Sequence, residues 1–127
     1  MQHSLPQTVL IVEDEAMVAM DLADCVGGAG FRVLGPVNTL TEAIKVATGG
    51  EFDAALLDAN LRGQPVTEVA AVLTSRNIPY AFVTGYGREV ISDAFHHVPL
   101  IAKPYAHDDL ILVIRTLLRQ IDGARPA

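Results

Sequence analysis

The sequence predicts an α/β fold built on a doubly wound parallel sheet, and three observations lead to this class. Apolar runs of strand length alternate along the chain with stretches of helical periodicity, which is the pattern of βα repeats. The run at 54–57 is entirely apolar, as expected for a strand that is covered on both faces. Polar or charged residues directly follow four of the runs, at the edge where an open parallel sheet places its ligand crevice.

Each expected strand is a short run rich in apolar residues. The five strands are expected at 8–13, 31–37, 53–58, 79–84 and 99–102. The second strand is interrupted by Gly35-Pro36. Because proline cannot donate a hydrogen bond to a sheet ladder, this strand is expected at an edge.

Five helices are expected, at 15–29, 39–49, 67–75, 88–96 and about 107–121. Gly30 is well placed to end the first, and Thr39 and Glu42 form a capping box at the start of the second. The helix at 88–96 is short and rich in β-branched residues, so we expect it to be mobile. The tail at 122–127 is expected to be frayed.

Length and composition fit a single domain of 127 residues, with its core at about 8–121 and no output domain. The net charge is −6 and the basic residues are scattered, which argues against a nucleic-acid surface. A single cysteine, Cys25, cannot form an internal disulfide, which suits a reducing compartment. Neither a signal peptide nor a membrane-spanning run is found, so we expect a cytoplasmic protein without membrane partners.

Three carboxylates lie at the ends of the first and third expected strands: Glu13, Asp14 and Asp58. These strands are neighbours in a doubly wound sheet, so the acids should share one crevice. Without a cation they would raise each other's pKa, whereas Mg²⁺ prefers oxygen ligands of this kind. We therefore expect Mg²⁺ or Mn²⁺ here. The alternative is that these acids are exposed and cap the loops and the next helix, which is the role expected of Glu15.

Asp58 is the candidate nucleophile, because a carboxylate can attack phosphorus and form an aspartyl phosphate. Such a transfer depends more on charge neutralisation than on acid–base chemistry. Lys103 directly follows the apolar run at 100–102 and would supply positive charge beside the cation. The alternative for Lys103 is a solvated surface lysine.

Thr84 and Gly85 close the fourth expected strand. The Thr84 hydroxyl could donate to a phosphoryl oxygen, and Gly85 would leave room for that oxygen to approach. The alternative is that this pair has no functional role, because a Thr followed by a Gly at the end of a strand is common in loops. Pro104 allows a cis peptide bond that could aim Lys103 into the crevice.

These residues, in this order and spacing, resemble those of the receiver domain of two-component response regulators, and the resemblance extends from 9–15 to the last helix. It implies a flavodoxin-like (βα)₅ fold with strand order 2-1-3-4-5. It also implies phosphoryl transfer to Asp58 from a histidine kinase or histidine phosphotransfer protein. A receiver catalyses this phosphorylation and its reversal on itself.

The resemblance also assigns roles to individual residues. It implies that Glu13, Asp14 and Asp58 hold Mg²⁺ together with the backbone carbonyl of Asn60. Thr84 and Lys103 would contact the phosphoryl group, and the Lys103–Pro104 peptide bond is expected to be cis.

One position departs from the receiver pattern. Many receivers carry a switch Tyr or Phe three residues before the lysine, where this chain has Leu100. The segments 82–86 and 103–105 resemble the "FAT GUY" subgroup, with Val83 in place of its Ala. Members of that subgroup are often stand-alone receivers without the switch aromatic, which implies a phosphoryl shuttle, a phosphoryl sink or partner binding.

Two tyrosines are candidates for the missing switch and for the output surface. Tyr86 could gate access to the site, and its alternative role is that of a half-buried loop tyrosine. The resemblance places downstream partners on the face formed by 88–96, 99–102 and 107–121, where Tyr105 and the outer side of the helix at 88–96 are the candidates.

The leading hypothesis is an active single-domain receiver, and a pseudo-receiver that binds partners without phosphorylation is the alternative that Leu100 keeps open. A fragment of a longer hybrid kinase or regulator is less favoured, given the Met1 start and the short polar tail. A flavin-binding protein should have Ser, Thr and Gly in its first βα loop, and that loop is acidic here.

Overall fold

The computed structural model describes residues 6–85 and 93–124, with side chains described up to 119. The strands in chain order are β1 (Thr8–Val12), β2 (Arg32–Val37), β3 (Ala54–Asp58), β4 (Asn60–Leu61), β5 (Gln64–Pro65), β6 (Tyr80–Thr84) and β7 (Leu100–Ala102). The helices are α1 (Ala16–Gly28), α2 (Leu40–Gly49), α3 (Thr67–Ser75) and α4 (His107–Ala124). A 3₁₀ turn covers Asp93–Phe95.

The main sheet is parallel and has the order β2-β1-β3-β6-β7. The remaining strands, β4 and β5, form a separate antiparallel hairpin of two residues each. When this hairpin is left out of the count, the order is the 2-1-3-4-5 of the flavodoxin-like fold. The expected fold class is therefore confirmed.

Successive residues of the central strands point into two different cores. Leu10, Leu57 and Phe82 pack in a cluster with α2 and α3, and Ile11 and Leu56 pack in a second cluster with α1 and α4. Because both faces are covered, β1, β3 and β6 are apolar almost throughout. The polar residues of these strands are confined to their ends.

The second strand lies at an edge, as its proline predicts. Gly35 has a φ of +98°, and the register with β1 shifts between Leu10 and Val12. A Cβ atom at Gly35 would lie 2.8 Å from the Ile11 carbonyl oxygen, so only glycine fits this irregularity. Beyond it, the Glu13 N–H donates to the Val37 carbonyl at 2.9 Å, which ties the start of the site loop to the edge strand.

Most expected element boundaries hold within one or two residues. The Thr39 hydroxyl accepts from the Glu42 N–H at 3.3 Å, so this cap begins α2 as expected. The last helix continues to Ala124, and the expectation of a frayed tail from 122 is wrong for its first three residues. The β4–β5 hairpin has no counterpart among the expected elements.

Most of the expected helix at 88–96 lies outside the described residues, and so does the expectation that it is mobile. Its described end forms the 3₁₀ turn, in which the His96 N–H donates to the Asp93 carbonyl. Among the residues that the structure describes, no helix is long and apolar enough to cross a membrane.

Candidate active site

The carboxyl ends of four parallel strands bring the sequence-predicted residues to one edge of the sheet. Asp58 is the last residue of β3, and Glu13 and Asp14 directly follow β1, its neighbour. On the other side, Thr84 ends β6 and Lys103 follows β7. Hydrogen bonding from the Lys103 N–H to the Thr84 carbonyl, at 2.9 Å, extends the pairing of these two strands to the site.

The three carboxylates form a compact cluster. Glu13, Asp14 and Asp58 each place one oxygen within 4.8 Å of the others. Glu13 and Asp58 are buried, with 1% and 6% of their surface exposed, and Asp14 is partly exposed. Such a set of hard oxygen donors, open to solvent on one side, fits a divalent cation such as Mg²⁺.

Lys103 is the cation on the other side of this cluster. Its ammonium Nζ lies 2.8 Å from Oε1 of Glu13 and 3.7 Å from Oδ2 of Asp58. Oε1 of Glu15 also lies 3.7 Å away. Burial by itself lowers the pKa of the Lys103 ammonium, but the surrounding carboxylates, Glu13 above all, raise it above the ordinary value. Lys103 is therefore a permanent positive charge in the site.

The environment of the Asp58 carboxyl disfavours its ionised form. Burial, together with the nearby Glu13 carboxylate, raises its pKa to about 7, although the Asn60 N–H and the Lys103 charge act in the opposite direction. The Asn60 N–H donates to Oδ1 of Asp58 at 3.2 Å. A group with this pKa takes up or releases a proton near neutrality, so a bound cation would strongly favour its ionised form.

The pKa of Asp14 is shifted in the opposite direction. Burial raises the pKa of its carboxyl, but hydrogen bonds involving Asp58 and the Arg62 N–H outweigh this effect and leave the pKa below its usual value. The Arg62 N–H donates to Oδ2 of Asp14 at 2.9 Å. Asp14 is thus ionised and oriented, as a metal ligand should be.

An open cleft of about 540 Å³ lies over these groups. It is lined by Asp14, Glu15, Asp58, Asn60, Arg62, Gly63, Gly85 and Lys103. Thr84 is fully buried beneath this surface, and Gly85, which follows it, is exposed at the cleft wall. The peptide bond between Lys103 and Pro104 is cis.

A second groove, of about 510 Å³, continues from the cleft along α1. It is lined by Glu15, Met17, Val18, Asp21, Gly85, Lys103, Pro104 and Tyr105. The Met17 side chain, 84% exposed, projects beside it. At its far end the Tyr105 hydroxyl donates to Oδ2 of Asp21 at 2.8 Å, and Nε2 of His107 lies 3.1 Å from Oδ1 of the same carboxylate.

The candidate switch positions have different environments. Leu100 is half-buried and packs against the core cluster on the α2–α3 side, so it fills the sheet edge as an ordinary apolar residue. Tyr105 is tied to α1 through Asp21. Tyr86 lies outside the described residues.

Sequence reasoning missed two contributors to the cleft. Glu15 precedes α1 but makes no side-chain cap there, and its carboxylate instead contacts Lys103. Its position directly after two site acids was the available signal. Arg62 contacts Asp14 through its backbone, and an interaction across 48 residues leaves no local sequence pattern.

No protein-family model matches the chain. The regulator PhyR of Methylorubrum extorquens is 32% identical over 121 residues, which cover 92% of this chain and 45% of PhyR. The chain spans about half the length of the curated relatives that it matches.

Two solved structures are close in both sequence and fold. The signal receiver domain of a modulated diguanylate cyclase from Desulfovibrio desulfuricans G20 is 31% identical, with a TM-score of 0.83 and coverage of 94% of this chain and 99% of that one. SdrG from Sphingomonas melonis Fr1 is 37% identical, with a TM-score of 0.78 and coverage of 91% and 99%. The chain belongs to the receiver-domain family of two-component response regulators.

Proposed function

We propose that this receiver is active and accepts a phosphoryl group on Asp58 in a reaction that depends on Mg²⁺. The observation that carries the proposal is the position of the Asp58 carboxylate. One of its oxygens lies within 4.8 Å of oxygens of Glu13 and Asp14, and its Oδ2 lies 3.7 Å from the Lys103 ammonium. With a divalent cation held by the acids, the nucleophile would have positive charge on both sides, as phosphoryl transfer to a carboxylate requires.

Asp14 and Asp58 would hold the metal ion in the cleft, with Glu13 and the backbone carbonyl of Asn60 completing the protein ligands. When bound, Mg²⁺ would neutralise charge on the carboxylates and on the phosphoryl oxygens. The proposed ligand set agrees with the chemistry of the site, since an uncompensated Asp58 has its pKa raised to about 7.

The chain's own residues perform the transfer. A carboxylate oxygen of ionised Asp58 forms a bond to phosphorus while the bond from phosphorus to the donor's imidazole nitrogen breaks, and the electron pair stays on that nitrogen. Lys103 neutralises charge on the phosphoryl oxygens, and Glu13 holds its ammonium at 2.8 Å. Gly85 leaves room beside the incoming group, and the Thr84 hydroxyl contacts a phosphoryl oxygen after a local rearrangement that uncovers it.

The donor is a phosphohistidine on a histidine kinase or histidine phosphotransfer protein. Its surface would fit the groove along α1, which opens directly into the cleft and shares Glu15, Gly85 and Lys103 with it. The exposed Met17 side chain supplies an apolar contact at its rim. Output is through protein partners, with the face at 88–96, 99–102 and 107–121 as the proposed surface.

SdrG has been solved in a conformation activated by BeF₃. Because beryllium fluoride resembles a phosphoryl group in shape and charge, the activation of this relative supports phosphoryl binding at Asp58. In many receivers a switch Tyr or Phe responds to phosphorylation, and Leu100 stands at that position in this chain. Because leucine has no aromatic ring, a different residue must signal phosphorylation here. Movement of Thr84 and Gly85 toward the phosphoryl group is the proposed signal.

The test is intact mass spectrometry after incubation with acetyl phosphate and Mg²⁺. We expect one phosphoryl adduct on the wild-type chain, no adduct when Mg²⁺ is replaced by EDTA, and none on Asp58→Asn. The matched control is Asp24→Asn, on an exposed part of α1, which should be modified like wild type. The contrary result is a wild-type chain that shows no adduct, even in rapidly quenched samples, and that does not bind BeF₃. This result would favour a module that binds partners without phosphorylation.

A further inference from the structure

Arg62 has a backbone conformation that residues with side chains rarely adopt. Its φ is +52°, and Gly63 follows with a φ of +79°. The two residues form the loop of the β4–β5 hairpin, in which Leu61 pairs with Gln64. A two-residue hairpin loop with positive φ at both positions favours Asn, Asp or Gly at the first of them. An arginine at this position therefore needs contacts that compensate its backbone strain.

Both the backbone and the side chain of Arg62 make such contacts. Its N–H donates to Oδ2 of Asp14 at 2.9 Å, and its Nε donates to the Asn38 carbonyl at 2.9 Å. Asn38 directly follows β2, Asp14 lies just beyond β1, and the hairpin follows β3. Arg62 thus ties together the loops after three neighbouring strands, at the edge of the sheet that carries the acidic cluster.

We propose that Arg62 is a positioning residue for Asp14, an inference that rests on the proposed Mg²⁺ site. The side chain anchors the hairpin on Asn38, and the anchored hairpin holds its N–H against Oδ2 of Asp14. This hydrogen bond restricts the rotation of a partly exposed carboxylate and keeps it oriented into the cleft. Groups that hydrogen-bond to metal-binding carboxylates commonly set metal affinity in this way.

Arg62→Gly separates positioning from stability. Glycine adopts positive φ freely and retains the N–H, but it cannot reach Asn38. We therefore expect the Tm without metal to stay the same or rise, while the Kd for Mg²⁺ measured by isothermal titration calorimetry becomes about tenfold weaker. Asn77→Gly is the matched control, because Asn77, with a φ of +58°, is the other non-glycine residue with positive φ in the described part of the chain. Its Kd for Mg²⁺ should not change.

A second variant distinguishes the effect of the hydrogen bond to Asn38 from the effect of the positive charge of Arg62. The amide nitrogen of glutamine is as many bonds from the backbone as Nε of arginine, so Arg62→Gln can still donate to Asn38. We expect it to bind Mg²⁺ at least as tightly as wild type.

Two results would overturn the inference. One is a wild-type Kd for Arg62→Gly, and the other is an Arg62→Gln variant as weak as Arg62→Gly. Absence of Mg²⁺ binding to the wild-type chain would instead contradict the proposed function, and the inference would fail with it.

Discussion

Lys103 makes its closest ion pair with Glu13, at 2.8 Å, and not with the proposed phosphoacceptor Asp58, which lies 3.7 Å away. Glu13 is completely buried as a side chain, and the Lys103 side chain is 15% exposed. The ammonium is therefore anchored from below and is available to a group entering from the cleft. This arrangement lets one lysine hold the resting site together and face the incoming phosphoryl group.

Removal of this lysine should destabilise the fold as well as abolish phosphorylation. In Lys103→Met the Glu13 carboxylate stays buried without a cation, and we expect a loss of about 3 kcal/mol in the free energy of unfolding. Urea denaturation measures this loss. Lys45→Met, at an exposed position of α2, is the control and should change stability by less than about 0.5 kcal/mol. Equal effects of the two substitutions would contradict the buried ion pair.

The raised pKa of Asp58 predicts a pH dependence of stability in the absence of metal. The folded chain holds this proton up to a pKa of about 7, whereas the unfolded chain releases it near the ordinary pKa of 3.8. The unfolded state therefore binds fewer protons between these values, and the contribution of Asp58 to the free energy of unfolding falls as the pH rises from about 4 to 7. Asp58→Asn removes this contribution.

We accordingly expect Asp58→Asn to be more stable than wild type at pH 8 in EDTA, by on the order of 3 kcal/mol. The difference should shrink toward pH 4. Thermal denaturation of both chains across this range checks the prediction. A difference in stability that does not vary with pH would show that Asp58 has an ordinary pKa in the folded chain.

Mg²⁺ should stabilise the folded chain through the acidic cluster. At ten times its Kd, the ion adds about 1.4 kcal/mol to the free energy of unfolding, because it binds only the folded site. We expect a rise in Tm of a few degrees for wild type and little or none for Asp14→Asn. Asp24→Asn, outside the cluster, should retain the full rise. A Tm that responds to Mg²⁺ equally in all three chains would indicate nonspecific binding.

The link between Tyr105 and Asp21 should couple the loop after β7 to α1. Tyr105→Phe removes the hydrogen bond, and because the pair is partly exposed we expect a loss of only about 0.5–1 kcal/mol. In the Asp21→Asn background the same substitution should cost less, so that a double-mutant cycle in urea gives a positive coupling.

The Asp21 pKa is lowered, mainly by the Tyr105 hydroxyl, so the coupling should be lost as the pH falls through that pKa. Additive effects of the two substitutions at neutral pH would contradict this link.

The sheet and the positions of Glu13, Asp14, Asp58 and Lys103 could be predicted because strand ends are local features of a sequence. A parallel sheet then brings these ends to one edge whatever the loops do. Leu100 occupies the position at which the resemblance expects a switch aromatic, and its side chain packs against the core cluster at the sheet edge.

The contacts within the site could not be predicted in the same way. Glu15 was expected to be a helix cap, but its carboxylate lies 3.7 Å from Lys103, and the competition between these two roles depends on the three-dimensional position of the lysine. The positive φ of Arg62 in the β4–β5 hairpin could not be predicted, because arginine has no propensity for positive φ. Its stabilising partners, Asn38 and Asp14, are distant in the chain.

We expect Asp58, and no other carboxylate of the cluster, to receive the phosphoryl group. Borohydride reduction of the chain treated with acetyl phosphate and Mg²⁺ converts a phosphorylated aspartate to homoserine, which peptide mass spectrometry can locate. The proposed site predicts homoserine at position 58 alone, and no conversion in samples treated with EDTA. Conversion at Asp14, or an unmodified Asp58 in a chain whose mass shows a phosphoryl adduct, would contradict the assignment.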